Sequence, residues 1–124
     1  MLKIFKSHHP IRHAKSFKYA FSGILHAIVN EANFRVQILI TILAIVGGIK
    51  FSITATEWAL FVLSFGFLLG AELINTIVEE IIDHLIHEES ECARIVKDLS
   101  AGFVLTTAIT TLVILIIVFQ QHVQ

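Results

Sequence analysis

The chain has 124 residues, 56% of them hydrophobic and 15% charged, with a formal charge of -1. That is too apolar for a soluble domain of this length, so the surplus must face lipid. A lone cysteine, Cys92, excludes an internal disulfide and a cysteine-rich zinc site, and no nucleic-acid partner is expected.

The first element in chain order is an amphipathic helix over residues 12–31. Phe17, Phe21, Ile24 and Ile28 recur at i, i+4, i+7 and i+11, while Lys15, Lys18, Ser22 and His26 take other faces. Its cations beside a membrane span suit an interfacial position, apolar stripe down. No cleavable signal is expected, because Ser22, His26 and Glu31 interrupt any apolar core.

A first span is expected over residues 34–55, with Lys50 the one charge between Arg35 and Glu57. Gly47 and Gly48 read as a close helix contact or a kink. They are no phosphate loop, since that device needs a strand, a glycine-rich turn and Gly-Lys-Ser/Thr opening a helix. A second span, residues 58–87, opens on Trp58 at an interfacial position and runs past the membrane edge. Polar residues from Asp83 to Arg94 connect it to a third span, residues 97–119, whose Ser100, Gly102, Thr106, Thr107, Thr110 and Thr111 suit close helix packing.

The expectation is therefore an all-α membrane protein, one domain over residues 1–124. Met1 to Arg35 holds six basic residues and one acid, the remainder three basic residues and nine acids. Basic flanks stay inside, which puts the N-terminus in the cytoplasm and the C-terminus outside, as for a multi-pass protein of a bacterial inner membrane.

The segment from Glu72 to Asp83 carries the chemistry. At 100° per residue, Glu72, Asn75, Thr76, Glu79 and Asp83 fall within a stripe of roughly 100°, with isoleucines and Val78 covering the rest. A carboxylate at the centre of a span costs about 2.5 to 3.5 kcal/mol on insertion scales, so such groups face a protein interior and have work to do. Paired carboxylates are hard-oxygen ligands for Mg²⁺, and Glu31 with Glu79 is the best pair by level. Lys97 and Asp98 open the third span near the same face. Cation, carboxylates and a semi-buried base are the parts of phosphoryl transfer. His84 and His87 beside Glu88, like His8, His9 and His13, are read as surface residues.

The pattern E-x-x-N-T-x-x-E-x-x-x-D from Glu72 to Asp83, followed by Lys97-Asp98, resembles the prokaryotic diacylglycerol kinase and undecaprenol kinase family. So do Phe17-Lys18-Tyr19-Ala20-Phe21 with Gly23-Ile24, and Glu31-Ala32-Asn33-Phe34-Arg35. The resemblance covers residues 12 to 119. It implies a homotrimer of three-span subunits with composite sites at the cytoplasmic membrane face, phosphorylating the hydroxyl of a membrane lipid from Mg²⁺ and ATP. By position it makes Glu72 the general base, Glu31 and Glu79 the metal ligands, and Asn75 their polar support. Arg12, Tyr19, Glu31, Glu79, Glu88, Ser90, Lys97 and Asp98 match nucleotide-contacting positions, and Phe34, Glu72, Asn75 and Gly102 match substrate or support positions.

Two departures stand out. Glu88-Glu89-Ser90-Glu91-Cys92 replaces a segment that holds histidine in many members, and Ile77 and Glu80 stand where small residues are usual. The compact N-terminus and the wording of Phe17 to Gly23 look closer to the undecaprenol branch, which makes a polyprenol the first expected substrate and diacylglycerol the second. From the residues alone, a non-enzymatic oligomeric subunit or a small proton or ion carrier using Glu72 stays open, as does a purely structural role for the stripe.

Overall fold

The computed structural model describes residues 10–86 and 90–123, and side chains from residue 14 onward. Its four helices are α1 (Pro10–Asn30), α2 (Ala32–Phe51), α3 (Ala55–Leu85) and α4 (Glu91–His122). The described residues contain no strand. α2, α3 and α4 are each long and apolar enough to cross a membrane. The protein is an all-helical membrane protein with three spans.

Local chemistry sets each boundary. Glu31, at φ -99° and ψ 113°, breaks α1 from α2 for a single residue. Arg35 then reaches back to the end of α1, where its Nη1 donates to the carbonyls of Val29 at 2.8 Å and Ile28 at 3.1 Å. This satisfies carbonyls that a helix end leaves without partners. α2 ends at Ser52, which adopts left-handed φ 54° and donates its N–H to the last turn. Two residues later Thr54 forms a reciprocal capping box with Glu57, which starts α3 ahead of Trp58. Ser90 caps α4 by accepting from the N–H of Ala93 at 3.1 Å, so this helix begins at Glu91, well before Lys97.

The three long helices meet in an aromatic cluster at the end where α3 begins. Phe61, Phe65, Leu68, Ala44, Ile53 and Val118 are buried there, with Trp58 and Phe119 packed against them. The rings pack edge to face, with Phe61 and Phe119 centroids 5.7 Å apart and Phe51 and Phe119 5.8 Å apart. The glycine pair is a close contact: a Cβ at Gly48 would lie 2.8 Å from the Trp58 ring, and one at Gly47 2.8 Å from the Phe119 ring. Further along, Thr111 of α4 lies 3.2 Å from the carbonyl of Ser64 on α3, with both residues buried. Leu39, Leu43, Val62, Leu105 and Leu112 point outward instead. Such a surface is suited to hydrocarbon rather than water.

α1 rests on the bundle only through its last turns, where Ala27 is buried and Ile28 is half-buried. Phe17, Phe21 and Ile24 of its apolar stripe remain exposed, as does Tyr19. His26 lies 3.9 Å from Glu80, which ties this end of α1 to the late turns of α3. With 31 residues, α3 extends about 46 Å and outruns a hydrocarbon core of ~30 Å. Its polar residues therefore run from within the apolar stretch to beyond it.

Candidate functional site

Among the described residues Glu72 is the most deeply buried ionisable group, 1% exposed. α3 turns it inward together with Ala71, Asn75 and Thr76, the face that α2 and α4 cover. Its Oε2 accepts a hydrogen bond of 2.8 Å from Nε2 of Gln37 on α2, and Thr76 donates to its backbone carbonyl at 3.1 Å. Gln37 sits on the stripe of α2 that also buries Phe34, Ala44 and Gly48. No cation bonds Glu72 among the described residues. A carboxylate in so apolar a place is held by one neutral donor, which leaves its other oxygen for a reacting group.

One turn on, Asn75 joins two helices. Its Nδ2 donates to Oε1 of Glu79 at 3.1 Å, and its Oδ1 lies 2.7 Å from the hydroxyl of Ser100 on α4. The half-buried Glu79 is thus held by one oxygen, while the other has no hydrogen bond among the described residues. Beyond it, Lys97 of α4 donates to Asp83 of α3 at 2.9 and 3.2 Å. The polar side of α3 is in this way paired at each turn with a partner from α2, from α4 or from its own helix, and the partners become charged as exposure increases.

Other expected residues occupy different settings. Phe34 is buried, 3% exposed, one turn ahead of Gln37. Glu31 is half-buried at the α1–α2 break and makes no side-chain cap bond. Buried Ala27, one turn earlier, and the His26–Glu80 contact bring its turn to the level of Glu79 and Glu80. Asp98 is exposed and bonded to Arg94 at 2.9 Å. Ser90 serves as the α4 cap. Gly102 is exposed, and a Cβ there would meet nothing within 4 Å. Glu88, His8, His9 and His87 lie outside the described residues, as do the side chains of Arg12 and His13.

Three participants escaped the sequence reading in these roles. Gln37 was readable only as a polar residue in an apolar span, which is itself a signal of interior facing. Asp83 was visible in the stripe, but its pairing with Lys97 was not. Ser100 was read as a packing residue and is also the partner of Asn75.

Among the described residues, no group of three or more His, Cys, Asp or Glu side chains could hold a metal alone. Glu31 and Glu79 are carboxylates of the hard-oxygen kind that Mg²⁺ takes in ones or twos beside substrate phosphates.

These features define a class, a small three-span helical membrane protein with a carboxylate sunk between its helices. The chain belongs to the prokaryotic diacylglycerol kinase family, whose model matches residues 18–119, and so stands among the lipid kinases. It is 30% identical over 100 residues to a diacylglycerol kinase of Synechocystis, a match covering 80% of this chain and 57% of that protein. It is 28% identical to the undecaprenol kinase of Bacillus subtilis and 26% identical to the diacylglycerol kinase of Escherichia coli, over 87% of this chain and 88% of each relative.

Proposed function

We propose that this protein transfers the γ-phosphoryl group of ATP to the hydroxyl of a membrane lipid, with undecaprenol as first substrate and diacylglycerol as second. The observation that carries the reading is Glu72, buried within the apolar length of α3 yet continuous with a ladder of polar groups leading to Lys97. A lipid hydroxyl reaches such a carboxylate from the hydrocarbon side, and a nucleotide reaches Lys97 from water. One helix spans both phases.

In this reading Glu72 takes the proton of the lipid hydroxyl as its oxygen attacks the γ-phosphorus, the role of a general base. Asn75 holds Glu79, and Glu79 and Glu31 hold Mg²⁺, which when bound neutralises charge on the phosphate oxygens. Lys97, aligned by Asp83, adds a cation for phosphate. Arg12, Tyr19, Glu88, Ser90 and Asp98 contact the nucleotide, while Phe34 and Gly102 border the lipid. A homotrimer with composite sites between subunits completes the enclosure, since three helices leave Glu31 and Tyr19 open on one side. The N-terminus and the α3–α4 connection face the cytoplasm of a bacterial inner membrane, and the C-terminus faces outward.

Purified protein supplied with γ-labelled ATP, Mg²⁺ and vesicles containing either undecaprenol or diacylglycerol tests both steps of the proposal. Label in undecaprenyl phosphate above that in phosphatidic acid is the expected result. Preference for diacylglycerol would reverse the substrate order, and no label in either lipid would overturn the reading.

A further inference from the structure

Gln37 and Glu72 are each more than nine-tenths buried, at 8% and 1% exposure, and face each other across α2 and α3. The amide nitrogen of Gln37 is 2.8 Å from Glu72 Oε2, while its amide oxygen is buried with no hydrogen-bond partner among the described residues. A buried acceptor without a partner is unfavourable, and native proteins keep few of them. Its place beside the candidate base supplies a reason.

A primary amide carries two donors on nitrogen and an acceptor on oxygen. The nitrogen complements an ionised carboxylate, and the oxygen complements a protonated one. An amide whose far end is fixed by a third group can offer its neighbour only one of these. The far end of Gln37 is unfixed, so a half-turn about its last side-chain bond exchanges donor for acceptor.

We propose that Gln37 is a positioning residue that holds Glu72 in both of its protonation states. The proposal rests on the lipid kinase reading. Before transfer the Gln37 N–H bonds the carboxylate, fixing its second oxygen toward the substrate hydroxyl. The lipid oxygen then bonds to the γ-phosphorus, the bond from phosphorus to the departing ADP oxygen breaks, and the hydroxyl proton moves to Glu72. The amide turns over, its oxygen accepts from the new carboxyl O–H, and it turns back once Glu72 has passed that proton to water as the products leave. The free oxygen is what allows the reversal.

Gln37→Met keeps length and apolar volume while removing donor and acceptor. It should lower kcat by roughly 10- to 100-fold, the scale of one hydrogen bond to a charged group, and leave KM for Mg-ATP within about twofold. Gln37→His, whose ring offers an N–H and an acceptor, should recover most of that loss. Added to Glu72→Gln, Gln37→Met should cost nothing further, because the group it serves is gone. A kcat for Gln37→Met near the wild-type value, or equal losses in both backgrounds, overturns the proposal. Should Gln37→Met aggregate, Gln37→His decides alone: near-normal turnover supports the role, and a folded but inactive protein overturns it. Wild-type protein that labels no lipid would remove the functional reading itself, a result distinct from an active wild type with an indifferent Gln37.

Discussion

Lys97 of α4 reaches Asp83 of α3 with its Nζ 2.9 Å from one carboxylate oxygen and 3.2 Å from the other. This pair is partly solvated, with 37% and 56% of the two side chains exposed, so it contributes little to stability. Its value is orientation. In the proposed function, a lysine already extended toward the polar end of α3 loses less freedom when a phosphate arrives.

Asp83→Asn should therefore raise KM for ATP by no more than about fivefold, as the loss of a partner in a solvated pair allows. Lys97→Met removes the cation itself and should cost far more. Steady-state kinetics on both variants checks this. An Asp83→Asn variant as impaired as Lys97→Met would show that the carboxylate takes part directly.

Asn75 donates to Glu79 at 3.1 Å, and in the proposed function this contact orients Glu79 toward the metal. Asn75→Ala frees Glu79 and should weaken apparent Mg²⁺ affinity by roughly 10- to 100-fold, as loss of a ligand's orienting partner commonly does. Glu31→Ala and Glu79→Ala should raise the Mg²⁺ requirement at least as far. Titrating activity against Mg²⁺ at saturating ATP measures each, and unchanged curves would dissociate these carboxylates from the metal.

Packing at the opposite end of the bundle gives a prediction independent of chemistry. A Cβ at Gly48 would lie 2.8 Å from Trp58 and 3.0 Å from Ile53, so Gly48→Ala must displace part of the aromatic cluster. The expected loss is about 1–3 kcal/mol. Gly23, with nothing within 4 Å of a Cβ, supplies the control, and Gly23→Ala should be neutral or slightly stabilising. Thermal unfolding in detergent distinguishes the two, and equal melting temperatures would contradict the contact.

Much of this architecture is written in one-dimensional patterns. Long apolar runs mark α2, α3 and α4, and the 3.6-residue period alone gathers Glu72, Asn75 and Thr76 onto the face that α3 buries. What a period cannot supply is the rotation of one helix against another. The Gln37–Glu72, Ser100–Asn75 and Lys97–Asp83 pairs each join residues from separate helices, so they depend on that rotation. Helix ends fell between these limits. Thr54-Ala55-Thr56-Glu57 carries a readable capping box, yet hydropathy draws attention to Trp58, and the Ser90 cap likewise precedes the apolar run that marks α4. Tyr19 and the Phe17, Phe21 and Ile24 of the α1 stripe are exposed on this single chain, and a period along one helix cannot say what would cover them.

The central claim is that Glu72 is the base for a lipid hydroxyl, and Glu72→Gln tests it most directly, since the amide preserves shape and cannot take the proton. Nucleotide binding should persist while transfer of label from ATP to lipid falls by roughly 10²- to 10⁴-fold. A Glu72→Gln protein that binds ATP and phosphorylates lipid at the wild-type rate would contradict the account.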